Sequence, residues 1–149
     1  MRKLWLIAPL LLLVGVLARP RDTSECSESY SKDVVITVPD GKTLKTQVSD
    51  SEVERELGLG GKVCIPHNSA MLFTFDEPGY YGIWMRGMLF TIDIVWLDSV
   101  KTVTHIEKNV SPSTYPHIYT PTKQSIYVIE LHAGQVDDLG LDEGSQLSW

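Results

Sequence analysis

The chain is poor in cysteine and in positive charge. Its 149 residues include two cysteines, and 13 Lys and Arg stand against 19 Asp and Glu, for a net charge of −6. Two cysteines are too few for a small domain built on disulfides, and they lack the paired spacing of a zinc ribbon. The acidic balance argues against a nucleic-acid partner, because phosphate recognition needs clustered Lys and Arg.

Sequence fingerprints of common enzyme classes are also missing. The chain has no Gly-x-Ser-x-Gly nucleophile elbow, phosphate-binding loop or dinucleotide-binding motif. Gly58, Gly60 and Gly61 follow a predicted helix instead of opening one, so they indicate a helix stop and not a phosphate site. The sequence therefore points to no cofactor, no metal and no nucleophilic catalyst.

Apolar residues are present in the amount that a folded core needs. Hydrophobic residues make up 43% of the chain and aromatic residues 9%, which excludes a disordered or collagen-like protein. The length fits a single domain of ordinary size. Together these features predict one small, acidic globular domain.

The longest apolar run lies at the N-terminus, at residues 4–17, behind Arg2 and Lys3. Its fourteen residues would span about 21 Å as a helix, whereas the hydrocarbon core of a bilayer is about 30 Å thick. Residues 1–18 are therefore predicted to be a secretory signal peptide or, alternatively, a short membrane anchor, with membrane contact only through residues 4–17. Either interpretation places the rest of the chain outside the cytoplasm.

Residues 19–32 are polar and rich in Ser, which predicts a linker to a single β-rich domain at residues 33–149. Cys26 lies in this linker and Cys64 in the domain. In an oxidising compartment the two could form a disulfide that ties the linker to the domain, and the alternative is two free thiols.

Short apolar and β-branched segments, separated by turn residues, fill the predicted domain. Ser51 and Glu54 form a capping-box pattern that predicts a short helix ended by Gly58, and a second helix is predicted at residues 133–139. This pattern indicates a mainly β, mostly antiparallel fold, built as a compact sandwich or a closed barrel that shelters its edges. The predicted strands are residues 33–38, 43–48, 71–75, 80–85, 92–97, 102–107, 125–131 and 145–149.

Three stretches in a fixed order give the chain a family resemblance: Trp84-Met85-Arg86, Ile92-Asp93-Ile94 and Glu130-x-x-Ala133-Gly134. With these stretches, residues 33–149 resemble the domain-of-unknown-function family 192 (DUF192). The resemblance implies a compact β-sandwich of jelly-roll type, often behind a signal peptide, and no accepted enzymatic activity. Arg86 stands where the family typically has Lys, which keeps the positive charge but replaces a point charge with a planar fork.

Charged residues near Trp84 are the candidate ligand-binding residues. Arg86 and Asp93 stand at the ends of two consecutive predicted strands, and with the aromatic platform of Trp84 they could bind a small anionic or sugar-like ligand. Glu130 interrupts an apolar strand, where an unpaired carboxylate is costly. The ligand hypothesis places these charged groups at one mouth of the β framework. The structural alternative is an Arg86–Asp93 ion pair with Trp84 in the core, and with Glu130 paired or exposed.

The proline-bearing segment 110–121 is a second candidate surface, with Tyr115 and Tyr119 at the rim of the predicted cleft. Loops carry function more often than cores do, and aromatic loop residues are expected to be accessible. Two further patterns, His105-x-Glu107 and Glu130-x-His132, could together hold a metal ion only if their strands were neighbours. Solvated strand faces are the alternative.

The sequence thus predicts a non-catalytic, extracytoplasmic domain that binds a small ligand and is secreted or held at the membrane. One alternative is an enzyme in which Glu130 and Asp93 act as an acid/base pair. Another is an envelope module that docks another protein through segment 110–121.

Overall fold

The structure is a computed structural model, and it describes Cys26 and residues 33–149. The predicted signal or anchor at residues 1–18 lies outside the described residues, as does the predicted linker apart from Cys26. In the described part of the chain, no helix is long and apolar enough to cross a membrane.

Residues 33–149 form eight β-strands and two short α-helices, with a single 3-10 turn at Pro112–Thr114. The mainly β prediction with two short helices is therefore confirmed. The elements in chain order are β1 (Val34–Thr37), β2 (Thr43–Ser49), α1 (Glu52–Leu57), β3 (Ser69–Gly79), β4 (Ile83–Trp84), β5 (Ile92–Leu97), β6 (Val103–Val110), β7 (Ile118–Tyr119), β8 (Ser125–His132) and α2 (Gln135–Asp138).

Six strands form one open sheet in the order β1-β2-β3-β8-β5-β6, while β4 and β7 pair separately as a two-stranded sheet. Neighbouring strands are antiparallel except β2 and β3, which run parallel. Parallel neighbours require a connection that brings the chain back to the end of the sheet where the first strand began. Helix α1 and the loop after it form this connection between β2 and β3. In the described residues the sheet does not close, so the closed-barrel alternative is wrong. The sheet is mostly antiparallel, as predicted, with β2 and β3 as its parallel pair.

Both faces of the six-stranded sheet are buried. On β5 all six residues are buried, as expected for a strand covered on two sides. Val95 and Leu97 pack into a cluster that includes Val136 of α2, and we call this side the α2 face. Ile94 and Trp96 point the other way, into a cluster that includes residues of β4 and its flanks, and we call that side the β4 face.

Two predicted strands are shorter in the structure or absent from it. The strand predicted at residues 80–85 is reduced to the two residues of β4. The chain runs so close to β7 here that a Cβ added to Gly82 would overlap Ile118 Cγ2. The strand predicted at residues 145–149 is wrong, because this segment makes only isolated bridges to Thr37 and Thr102, on two different parts of the sheet.

A disulfide joins Cys26 to Cys64, with 5.8 Å between their Cα atoms. Of the two alternatives drawn from the sequence, the structure therefore has the bridge and not the free thiols. Cys64 lies in the loop between α1 and β3. The bridge thus ties the chain at Cys26 to the loop that follows α1.

Candidate functional site

Helix α1 begins and ends where the sequence predicts. The Ser51 hydroxyl accepts the backbone N–H of Glu54, and the Glu54 carboxylate accepts the N–H of Ser51, which completes the capping box. Gly58 ends the helix by donating its N–H to the Glu54 carbonyl at 2.8 Å. None of the six residues of α1 is buried, so the helix lies at the surface of the domain.

A cleft of about 400 Å³ lies between α1, β4 and the β4 face of the sheet, and we call it the α1 cleft. Phe73 and Glu130 reach it from strands β3 and β8, and Trp84 and Arg86 line it from β4 and the turn that follows. Helix α1 and the loop after it line the cleft as well. The residues that line the α1 cleft are Glu52, Arg55, Glu56, Leu57, Gly58, Leu59, Phe73, Phe75, Tyr81, Gly82, Ile83, Trp84, Arg86, Met88 and Glu130.

Gly58 brings the backbone close to the Glu130 carboxyl group in the wall of the cleft. Its φ of 53° lies in the left-handed region, which favours glycine. A Cβ at this position would stand 3.3 Å from Phe73 Cζ and 3.5 Å from Glu130 Oε2. Glycine is therefore favoured by the turn, and a side chain at this position would also crowd the Phe73 ring.

Glu130 is the buried acid of the cleft, with 4% of its surface exposed. Its neighbours in the sheet are Met71 on one side and Ile94 on the other, both apolar. Burial raises the pKa of Glu130 to about 8, although the backbone N–H of Leu59 donates to the carboxylate and acts in the opposite direction. Among the described residues, Glu130 Oε2 has no hydrogen-bond partner. At neutral pH the group is thus mainly a neutral acid that can donate a hydrogen bond into the cleft.

The mouth of the cleft carries a cation on an aromatic ring. The Arg86 guanidinium lies 5.0 Å from the centre of the Trp84 ring, within the range of a cation–π interaction. Arg86 Nη2 also donates to Glu56 Oε1 at 2.8 Å. The Trp84 residue is 39% exposed and the Arg86 side chain 46% exposed, so both are open to solvent and to a ligand.

The second arginine of the cleft holds α1 to the sheet. Arg55 donates to the backbone carbonyl of Thr74 at 2.9 Å and also to that of Asp50. Its guanidinium lies 5.0 Å from the centre of the Phe75 ring, which in turn stacks on Tyr81 at 3.5 Å. Arg55 is therefore already engaged, which leaves Arg86 as the cation at the open mouth.

The structure does not place Asp93 with Arg86 and Glu130. In the β5–β8 register, Asp93 is opposite Leu131 and Ile94 is opposite Glu130, so the two carboxylates point to opposite faces of the sheet. Asp93 is fully buried on the α2 face, where it accepts the backbone N–H groups of Asn109 at 2.8 Å and Val136 at 3.0 Å. The ligand hypothesis placed the three charged groups at one mouth of the β framework. The structure brings Arg86 and Glu130 to one cleft but places Asp93 on the other face of the sheet. The acid/base pair of Glu130 and Asp93 is wrong for the same reason.

Tyr115 and Tyr119 do not line the α1 cleft. Tyr119 pairs with Ile83 in the β4–β7 sheet and packs against the β4-face cluster, so it supports the cleft wall from behind. Tyr115 is 48% exposed, so the predicted accessibility is confirmed for this residue. Their predicted position at the rim is wrong, because Tyr119 is half-buried against the β4-face cluster and Tyr115 lies outside the cleft.

The two histidine patterns lie on strands that are not neighbours, because β5 separates β6 from β8. His105 contacts Glu107 at 3.2 Å and Glu143 at 3.7 Å, while the His132 ring packs against that of His67 at 5.6 Å. Within Cys26 and residues 33–149, no group of three or more His, Cys, Asp or Glu side chains is arranged to hold a metal ion.

Sequence reasoning misses the helix side of the cleft, including Glu56 and Arg55. The capping box and the glycines predict that α1 exists, but they carry no information on which strands it packs against. The parallel return from β2 to β3 decides that position. Phe73, Phe75 and Tyr81 were predicted as strand residues, and only the three-dimensional arrangement turns them into a cleft wall.

Comparison with known sequences gives one family and two curated relatives. The profile of DUF192, described as an uncharacterized ACR, matches residues 18–149. A UPF0127 protein of Thermococcus gammatolerans is 29% identical over 103 residues, which covers 69% of this chain and 65% of the relative. A UPF0127 protein of Thermococcus kodakarensis is 29% identical over 105 residues, which covers 70% of this chain and 64% of the relative. The chain thus spans slightly less than two thirds of the length of these curated relatives.

Two solved structures have a similar fold. A protein of unknown function from Novosphingobium aromaticivorans superposes with a TM-score of 0.73 at 22% identity, covering 78% of this chain and 84% of that one. A Sinorhizobium meliloti protein, described as a candidate transcription regulator, superposes with a TM-score of 0.71 at 27% identity, covering 81% of this chain and 97% of that one.

Proposed function

This chain belongs to the uncharacterised DUF192 family, and from that premise we propose that it is a non-catalytic domain that binds a small ligand in the α1 cleft. The observation that carries the proposal is the Glu130 carboxyl group, buried in the wall of an open cleft with Oε2 unpartnered among the described residues. A buried polar atom without a partner is destabilising. An acceptor atom of a bound ligand would satisfy it.

The other walls of the cleft define the chemistry of this ligand. Trp84 offers a ring face, Arg86 a positive charge and Glu130 a neutral donor, a combination that fits a small anionic or sugar-like molecule. A volume of about 400 Å³ lies within the range of small-molecule sites. A hydrolase mechanism with Asp93 has no support, since Asp93 lies on the other face of the sheet.

A thermal-shift and calorimetry screen with sugars, sugar acids and small anions tests the proposal. Arg86→Ala is expected to weaken the binding of an anionic ligand by about tenfold or more, because a charge-assisted hydrogen bond contributes roughly 1.5–3 kcal/mol. Lys108→Ala is the matched control, since it removes a cation from a similarly exposed ion pair, Lys108 with Asp137 at 2.6 Å, outside the cleft. The proposal fails if no compound in the screen binds, or if Arg86→Ala leaves every observed affinity unchanged.

We also propose that the domain works outside the cytoplasm. Support comes from the apolar run at residues 4–17 behind two basic residues, and from the Cys26–Cys64 disulfide, since disulfides persist in oxidising compartments. Expressed from residue 1 in bacterial cells, the protein is expected in the envelope or the medium, with two thiols that react with maleimide only after reduction. Recovery from the cytoplasm with both thiols reactive before reduction would contradict this location.

The alternative functions receive less support from the site. Segment 110–121 exposes Tyr115 and Ile118 but turns Tyr119 inward, so only part of it is available to a partner protein. The regulator description of the Sinorhizobium meliloti protein does not transfer readily either, because a net charge of −6 opposes DNA binding.

A further inference from the structure

Glu56 at the mouth of the α1 cleft carries an inference about the ligand. We propose that the Glu56 carboxylate occupies the position on Arg86 that a ligand carboxylate takes when it binds. The cleft then takes up a small carboxylate-bearing molecule, whose acidic group replaces that of Glu56 on Arg86. This inference rests on the proposed binding function and narrows it to one ligand class.

The first argument is the geometry of the Arg86–Glu56 pair. A single hydrogen bond of 2.8 Å joins Nη2 to Oε1, and the guanidinium also lies 5.0 Å from the centre of the Trp84 ring. The two side chains are 46% and 55% exposed. Exposed ion pairs add little stability, so an incoming carboxylate can replace Glu56 at small cost while Arg86 stays in position.

The second argument is that α1 does not depend on Glu56. The helix has no buried residue, and it is held by its capping box and by the hydrogen bond from Arg55 to the Thr74 carbonyl. Glu56 takes part in neither. Its carboxylate can therefore leave Arg86 without loosening the helix from the sheet.

The third argument comes from Glu130 on the sheet side of the same cleft. As a neutral acid, Glu130 can donate a hydrogen bond to a ligand and does not repel an anion, and its Oε2 lacks a partner among the described residues. A ligand that fits both ends therefore carries a carboxylate for Arg86 and a hydroxyl or carbonyl oxygen for Glu130. Hydroxy acids, including acidic sugars, have both groups.

The test compares Glu56→Gln with Glu52→Gln, using D-glucuronate and D-glucose as probes in calorimetric titrations. Both variants remove one negative charge from the same helix and the same cleft, but only Glu56 is bonded to Arg86. Glu56→Gln is expected to bind D-glucuronate about two- to fivefold more tightly than wild type, and Glu52→Gln to show a smaller gain. Affinity for D-glucose, which has no carboxylate, should be the same in all three proteins.

The other possible outcomes distinguish failure of the carboxylate exchange from failure of the proposed binding function. If Glu56→Gln and Glu52→Gln change D-glucuronate affinity equally, the exchange is refuted, while loss of binding in Arg86→Ala would still support the binding function. If D-glucose gains as much as D-glucuronate in Glu56→Gln, the carboxylate class is refuted. If D-glucuronate does not bind even Glu56→Gln, the exchange fails, and the screen with other compounds decides the binding function independently.

Discussion

Replacing Glu130 by Gln is expected to remove a large pH dependence from the stability of the domain. Burial raises the pKa of Glu130 from 4.5 to about 8, with the Leu59 N–H acting weakly in the opposite direction. A shift of this size means that the free energy of unfolding differs by an amount on the order of 5 kcal/mol between the protein with Glu130 protonated and the protein with Glu130 ionised. Gln keeps the shape of the side chain and an oxygen for the Leu59 N–H, but it does not ionise.

The sign follows from the protons bound in each state. Between about pH 4.5 and pH 8 the folded protein keeps the Glu130 proton and the unfolded chain releases it, so the free energy of unfolding falls as the pH rises. The stabilisation is complete below pH 4.5 and is lost as the pH passes through the folded pKa. The expected slope inside this window is about 1.4 kcal/mol per pH unit for this group.

Urea denaturation of wild type and Glu130→Gln at pH 5, 6.5, 8 and 9 measures the difference. The free energy of unfolding of wild type minus that of Glu130→Gln should fall as the pH rises through the window and should level off above pH 8. Glu56→Gln is the control, because it removes an exposed carboxylate from the same cleft and should retain the wild-type slope. Parallel curves for wild type and Glu130→Gln would show that Glu130 is not a buried neutral acid.

The sequence predicts those elements whose signals are local. The six residues of β5 were predicted with the bounds that the structure has, because the segment is apolar except for Asp93 and turn residues follow it. The capping box of Ser51 and the stop at Gly58 fixed both ends of α1 in the same way. Glu130 was identified as unusual from its apolar neighbours alone, and the structure places it in buried surroundings, which raise a carboxyl pKa without a second charge.

The composition of the site depends on register, which is not a local property. Alternation along β5 and β8 predicts that neighbouring residues point to opposite faces, but not which residue of one strand lies opposite which residue of the other. A shift of one residue would have placed Asp93 on the same face as Glu130. The observed register pairs Ile94 with Glu130 instead, and the cleft therefore joins Glu130 to α1 and not to Asp93.

Asp93 takes a structural position that a sequence pattern does not reveal. The β5–β6 register shifts between Ile92 and Ile94, and the N–H of Asn109 in this irregular part of β6 is accepted by Asp93 Oδ1. Gly134, which precedes α2, offers no side-chain cap, so Asp93 Oδ2 accepts the N–H of Val136 in the first turn of that helix. One buried carboxylate thus joins β5, β6 and α2.

Asp93→Ala is expected to lower the free energy of unfolding by about 3–5 kcal/mol, because the N–H groups of buried Val136 and of Asn109 both lose their acceptor on the fully buried Asp93, at a cost of about 1–3 kcal/mol each. Asp93→Asn should be less severe, since it keeps one acceptor but places a donor against the other N–H. Asp98→Ala is the matched control, because Asp98 also accepts two backbone N–H groups, those of Val100 and Thr102, but in a turn that water reaches, and its loss should cost about 1 kcal/mol.

The same Asp93 variants distinguish structural support from ligand contact. Asp93 lies on the α2 face and outside the α1 cleft, so folded Asp93→Asn should bind any ligand of that cleft with wild-type affinity despite its lower stability. Arg86→Ala should behave in the opposite way, with reduced affinity and nearly unchanged stability, because its ion pair with Glu56 is exposed. If Asp93→Asn is stably folded but no longer binds the ligand, Asp93 belongs to the binding site. This result would contradict the division of the sheet into a supporting face and a binding face.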